Sequence, residues 1–138
     1  MLTVKTYLAK AGTKGLGLFA SEPISVGQIW WRHDLKFNRI FTKRQYNLMS
    51  DITKSFLQTY AFQLGDGRWY LCVDNARFVN HSDYPNTKPS IVSKKFTPCD
   101  WVGSQNINIG DEITSDYKQL CFTCQNVVGF ENQLQVWN

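Results

Sequence analysis

The sequence predicts a mainly β fold with one or two short helices. Three observations lead there. Short apolar segments recur at roughly ten-residue spacing, each bounded by glycine, proline or asparagine. Only the stretch opening at Thr42 sustains a helical period. No internal repeat, low-complexity tract or linker divides the 138 residues, so one domain is the default.

Taken in order, residues 2–8 alternate, with Leu2, Val4 and Thr6 against Thr3, Lys5 and Tyr7, and read as a strand. Residues 12–17 form a glycine-bearing turn, and residues 16–20 a second strand. A turn at 23–27 leads to an apolar strand at 28–31. Thr42 and Gln45 fit a capping box, and Tyr46, Met49, Thr53, Phe56 and Tyr60 follow at helical spacing. This predicts one helix over about 42–58, with Tyr46 and Phe56 packed in the core. Gly65-Asp66-Gly67 joins residues 60–64 to residues 68–73 as a hairpin. Residues 87–96 and 100–107 read as another strand pair about Thr97-Pro98. A turn at 108–110 precedes a last strand or strand end at 111–117.

Composition excludes several classes. Hydrophobic residues make up 43% and aromatics 14%, which suits a globular chain that can bury a core. There is no run of eighteen apolar residues, hence no predicted membrane span, and residues 1–7 are too polar for a secretory signal. The net charge of +4 is modest, and no lysine-arginine block marks a nucleic-acid track, so direct nucleic-acid binding is not expected. An intracellular setting, cytoplasmic or nuclear, is expected, with Cys72, Cys99, Cys121 and Cys124 as free thiols. The Cys121-Phe122-Thr123-Cys124 pair leaves open half of a zinc site or a disulfide. A small zinc protein would take up stoichiometric metal and unfold with chelator.

Three segments carry chemistry. Asn80, His81 and Ser82 are ordinary turn residues singly. Following apolar Phe78 and Val79, they form a polar cluster that must be satisfied, and a bound ligand is one way to satisfy it. Lys14-Gly15-Leu16-Gly17 reads as a tight hairpin, or as glycines that let backbone approach a ligand closely. It lacks the third glycine and the long helix of a dinucleotide fingerprint. Tyr117 closes Glu112-Ile113-Thr114-Ser115-Asp116-Tyr117; by position alone it is a strand-end aromatic.

Read together, Lys14 to Phe19, then Arg77 to Asn86, then Gly110 to Tyr117 resemble, in that order, the signature segments of the SET-domain protein lysine methyltransferases. The resemblance spans about residues 3–120. It implies a SET-type β-clip with a threaded, pseudoknot-like C-terminal segment. It further implies a SET domain at 1–120 and a short extension at 121–138 packing near the cofactor site. The implied activity is S-adenosylmethionine-dependent methylation of a lysine side chain on a protein, histone or non-histone. Asn80 would hold the methionine end of the cofactor and the His81 main chain the adenine edge. Lys14 and Leu16 would give backbone contacts, with Gly15 and Gly17 permitting the turn. Tyr117 would line the transfer site. Tyr60 and Tyr70 are candidates for the lysine channel. Phe122 is the first candidate to cover the adenine, with Phe130 and Trp137 as alternatives.

The chemistry suits these residue types. The amine must be neutral, and a free lysine of pKa about 10.4 is neutral roughly once in 2,500 at pH 7, about 4.6 kcal/mol uphill. A narrow aromatic channel beside a cationic sulfonium lowers that pKa and orients the stem. A tyrosine hydroxyl and nearby carbonyls hold the polarised methyl by weak C–H···O contacts. No metal or covalent nucleophile is needed.

Three departures from relatives stand out. Asp83 occupies the place of a zinc-binding cysteine, so no metal is expected. The chain is short, which implies an open substrate groove or one completed by a second subunit, as monomer or homodimer. Ser115 stands where relatives often carry a bulky aromatic, leaving room for a more methylated amine. The competing reading is a non-catalytic SET-like module that binds cofactor or peptide.

Overall fold

The first residues divide between two partners. In the computed structural model, which describes residues 1–91 and 98–120, Leu2 bridges to Trp31 and the Thr3 amide donates to the Trp30 carbonyl at 3.0 Å. Strand β1 therefore starts only at Thr6 (Thr6–Lys10), later than the alternation implied. It pairs antiparallel with β2 (Leu16–Ala20), in register from Thr6 opposite Ala20 to Lys10 opposite Leu16. Leu18 and Ala20 point inward and are fully buried. The other edge of β2 bonds to residues 110–113. The Ala20 amide donates to the Asp111 carbonyl at 3.0 Å, and the Ile113 amide to that of Leu18 at 2.8 Å.

Strand β3 (Ile29–Trp31) is followed by β4 (Arg39–Phe41), which the sequence did not signal because three residues show no period. The expected single helix is two. Thr42 and Gln45 form the capping box of α1 (Lys43–Asn47), as anticipated. Leu48 closes that helix, and Ser50 turns extended (φ −64°, ψ 159°) to cap α2 (Asp51–Tyr60). The Ser50 hydroxyl accepts from the Thr53 amide at 3.3 Å and meets the Thr53 hydroxyl at 3.0 Å. A serine that can bond the backbone locally ends one helix and begins another. Replacing Ser50 with Ala is expected to cost about 1 kcal/mol, read as a lower denaturant midpoint at unchanged slope. Phe56 is a further correction. It is 45% exposed and rests on Tyr60 rather than in the core.

Strands β5 (Ala61–Gln63) and β6 (Trp69–Leu71) form the expected hairpin about Gly65 to Gly67, and β4 adds to the far edge of β6. Next come a 3-10 turn (Asn75–Phe78) and β7 (Asn80–His81). Strands β8 (Thr87–Pro89) and β9 (Trp101–Gly103) pair antiparallel, β9 lying between β8 and β3. The expected pair at 87–96 and 100–107 is thus shorter, and residues 92–97 fall outside the described ones. The last strand, β10 (Thr114–Ser115), lies parallel to β7, and Tyr117 opens a helix, α3 (Tyr117–Leu120), instead of ending the strand. The fold is mostly small sheets with few short helices, as predicted. The extension expected at 121–138 lies outside the described residues.

Leu18, Ile24, Trp30, Trp31, Tyr70, Trp101, Ile107 and Ile113 form the core between these sheets. Tyr70, offered above as a channel residue, is fully buried here. It stacks on Phe62 at 4.9 Å and meets Trp31 edge-on at 6.2 Å. Burial pushes its hydroxyl well above the usual phenol range, so it stays protonated and sits 2.6 Å from His33 Nδ1. Burial also lowers the His33 pKa, which favours the neutral ring as the acceptor. Among the described residues no helix is long and apolar enough to cross a membrane.

Candidate functional site

The parallel pairing of β7 with β10 sets Asn80 beside Thr114 and His81 beside Ser115. Because β2 bonds to residues 110–113, the turn at Lys14 to Gly17 arrives at the same place. Three segments distant in sequence meet there.

Asn80 is buried, at 5% exposure, and its side chain is fully oriented. Nδ2 donates to the Leu16 carbonyl at 3.1 Å and to Glu112 Oε1 at 2.8 Å. Both neighbours only accept, so the amide has one sensible orientation, and its carbonyl oxygen is what remains to meet a ligand. Gly17 makes this approach possible. A Cβ there would sit 2.7 Å from Glu112 Oε1, 2.8 Å from Ala11 Cβ and 3.1 Å from Asn80 Nδ2. Gly15 serves differently: its φ of +82° is left-handed, with nothing within 4 Å of an added Cβ. Lys14 reaches across the junction, Nζ donating to the His81 carbonyl at 3.0 Å.

Tyr117 is held at both ends. Its amide donates to His81 Nδ1 at 3.1 Å, and its hydroxyl donates to the Val79 carbonyl in a short hydrogen bond. The His81 and Tyr117 rings lie 5.5 Å apart at 56°. Tyr60, at the end of α2, packs edge-on against Phe78 at 5.7 Å, one residue before Val79. The Arg77 guanidinium stands 4.8 Å over the Phe78 ring and 5.9 Å over that of Tyr60. Through Phe78, Tyr60 packs next to the segment that holds the Tyr117 hydroxyl.

Two residues escaped the sequence reading as site residues. Glu112 fixes the Asn80 amide, and its only sequence signal is its place in the segment Gly110 to Tyr117. Asn86, the last residue of the Arg77 to Asn86 segment, was assigned no role. Its Nδ2 donates to the Glu112 carbonyl at 2.8 Å and its Oδ1 accepts the Thr114 amide at 2.9 Å, as a strand's peptide group would. Ser115 is buried, with its hydroxyl 2.8 Å from that of Thr87. A buried hydroxyl needs a partner, and Thr87 supplies it.

Phe122, Phe130, Trp137, Cys121 and Cys124 lie outside the described residues. Among the described residues, no three His, Cys, Asp or Glu side chains gather as a metal site, and Cys72 and Cys99 are free thiols. Burial pushes the Cys72 thiol up to about 12.

The fold has solved counterparts. A candidate histone methyltransferase of Plasmodium falciparum superposes with a TM-score of 0.57 at 21% identity, over 84% of this chain and 95% of that one. A humanized mutant of the Chaetomium thermophilum Polycomb Repressive Complex 2, bound to an inhibitor, gives 0.61 at 17% identity, over 86% of this chain and 15% of that one. The same complex, autoinhibited and bound to S-adenosylmethionine, gives 0.61 at 20%, over 86% and 16%. At such identities the likeness concerns the fold. No curated protein sequence matches the chain. The SET domain family does match, over residues 15–118, a range that takes in Gly17, Asn80, His81, Glu112 and Tyr117. The chain belongs to the SET-domain family.

Proposed function

We propose that this chain is a protein-lysine N-methyltransferase that uses S-adenosylmethionine and acts on a protein or peptide, histone or non-histone. The observation that carries the reading is the meeting of Asn80, Gly17 and Tyr117. The oriented amide stands one residue from the carbonyl that holds the tyrosine hydroxyl.

The residues present fit the cofactor. The space a Cβ would fill at Gly17 is already taken up by Asn80 and Glu112, so the backbone of Lys14 to Gly17 stands directly against the Asn80 amide. Asn80 offers a carbonyl oxygen to an ammonium, and the turn offers main-chain groups to a carboxylate. Bound there, S-adenosylmethionine supplies an electrophilic methyl group.

The chain's own part is positioning. Tyr117, tied at its amide and hydroxyl, presents a fixed phenol oxygen to the incoming amine. Tyr60 and Phe78 supply an aromatic wall that excludes water from an aliphatic stem. Arg77, stacked on that wall, adds a fixed positive charge that favours the neutral form of a nearby lysine.

Calorimetric titration of S-adenosylmethionine, with methyl transfer to mixed histones and a cell lysate, tests this. Wild type is expected to bind and to label a protein that yields methyl-lysine on hydrolysis. Asn80→Ala removes the oriented carbonyl and is expected to bind about 10- to 100-fold more weakly, the worth of one hydrogen bond to a charged group. Wild type that binds no cofactor sinks the reading. Binding without transfer to any protein would make the chain a cofactor-binding module.

A further inference from the structure

The His81 ring, as distinct from its main chain, has no place in the reading above. It lies on β7 and reaches the first residue of α3, thirty-six positions later. The first amides of a helix have no partner within it. Here the Tyr117 amide finds one at His81 Nδ1, and the Lys118 amide finds another at Asp116 Oδ1 at 2.9 Å. We propose that the His81 imidazole is a positioning residue for Tyr117, accepting the Tyr117 amide at Nδ1 so that main chain and hydroxyl are both anchored on β7 and its entry. This rests on the methyltransferase reading.

Two anchors explain more than one. The Val79 carbonyl fixes the far end of the phenol, and the His81 ring fixes the near end of the residue. The anchors are two positions apart on one extended segment, so Tyr117 is laid along it. The Val79 bond sets the phenol oxygen, and the His81 bond sets the main chain that carries it.

The arrangement dictates a protonation state. Nδ1 can accept only while it carries no proton, which puts the hydrogen of the neutral ring on Nε2. Nε2 lies 3.2 Å from Asp83 Oδ1, an acceptor suited to that hydrogen. Among the described residues, Asp83, Asp116, Lys118 and Lys14 stand about His81. Asp83 is the nearest. Asp116 Oδ1 lies 3.8 Å from Nδ1, Lys118 Nζ lies 3.9 Å from Asp83, and Lys14 Nζ donates to the His81 carbonyl. A second proton on the ring would turn Nδ1 into a donor facing the Tyr117 N–H. The anchor would be lost, while the His81 main chain stayed in place.

Two variants and a spectrum test this. In His81→Asn, Oδ1 takes the place of Nδ1 and does not titrate; His81→Leu fills the space without an acceptor. His81→Leu is expected to lose about 10-fold or more in kcat, the worth of one hydrogen bond, with the cofactor KM little changed. His81→Asn is expected to recover most of that loss. Independently of activity, the 15N shifts of the His81 ring should report the Nε2–H tautomer. The Tyr117 amide should resist hydrogen exchange in wild type and His81→Asn but not in His81→Leu. A Nδ1–H tautomer, or His81→Asn as impaired as His81→Leu, or a change in cofactor KM alone, overturns the proposal. If no variant transfers methyl groups, the function reading has failed, and the tautomer and exchange data still decide this one. If His81→Leu does not fold, the wild-type tautomer decides alone.

Discussion

Tyr117→Phe is expected to fold, to bind cofactor nearly as wild type does, and to lose about 10²- to 10³-fold in kcat, the range seen when one preorganised polar group is removed from a transfer site. The oxygen lost is the one set in place by the Val79 carbonyl. Without it Tyr117 keeps its amide bond to His81 but loses the bond from its hydroxyl to Val79. The change is small for the fold. Val79 loses a partner for its carbonyl, at about 1 kcal/mol. Steady-state rates beside calorimetry and a thermal melt separate these effects. A kcat within tenfold of wild type would make Tyr117 a packing residue.

Gly17→Ala is expected to be worse for binding than any substitution of a side chain that touches cofactor. The new methyl would meet Glu112 Oε1, Ala11 Cβ and Asn80 Nδ2, all at 3.1 Å or less. Relief requires Glu112 or Asn80 to move, and moving either breaks the bond that orients Asn80. Overpacking of this kind costs about 1–3 kcal/mol, and calorimetry should find no cofactor binding. Gly15→Ala is the control. It suffers only the left-handed backbone, about 1–2 kcal/mol, with no clash. Equal cofactor affinity in the two variants would dismiss close approach at Gly17 as a feature of the site.

Elements set by neighbours in sequence were legible, and those set by distant partners were not. Strand β2, the hairpin at Gly65 to Gly67 and the capping box at Thr42 rest on local patterns. The break at Ser50 is local too, but the helical spacing of Thr53, Phe56 and Tyr60 ran through it from Tyr46 and hid it. Strand β4 exists because β6 offers an edge, which no pattern at Arg39 reveals. At the site, the resemblance picked out Lys14 to Gly17, Asn80, His81 and Tyr117, and the structure places all of these around one junction. Glu112 and Asn86 were overlooked because their work consists of bonds to residues 26 to 32 positions away. Tyr70 and Ser115 illustrate the converse. An aromatic or a small residue at a suggestive position carries no mark of the partner that occupies it.

The parallel pairing of β7 with β10 also bears on how the protein is made. Asn80 bonds to Leu16, 64 positions away, and Tyr117 bonds to Val79, 38 away. None of these contacts forms until the chain between has closed two large loops, which slows folding. On a ribosome, a chain that has emerged only through Asn86 has the turn and the amide but neither Glu112 to orient it nor the tyrosine. No piece shorter than residues 14–117 contains the whole junction. Splitting the protein between β8 and β9 should therefore give two inert halves that regain the site only on reassociation.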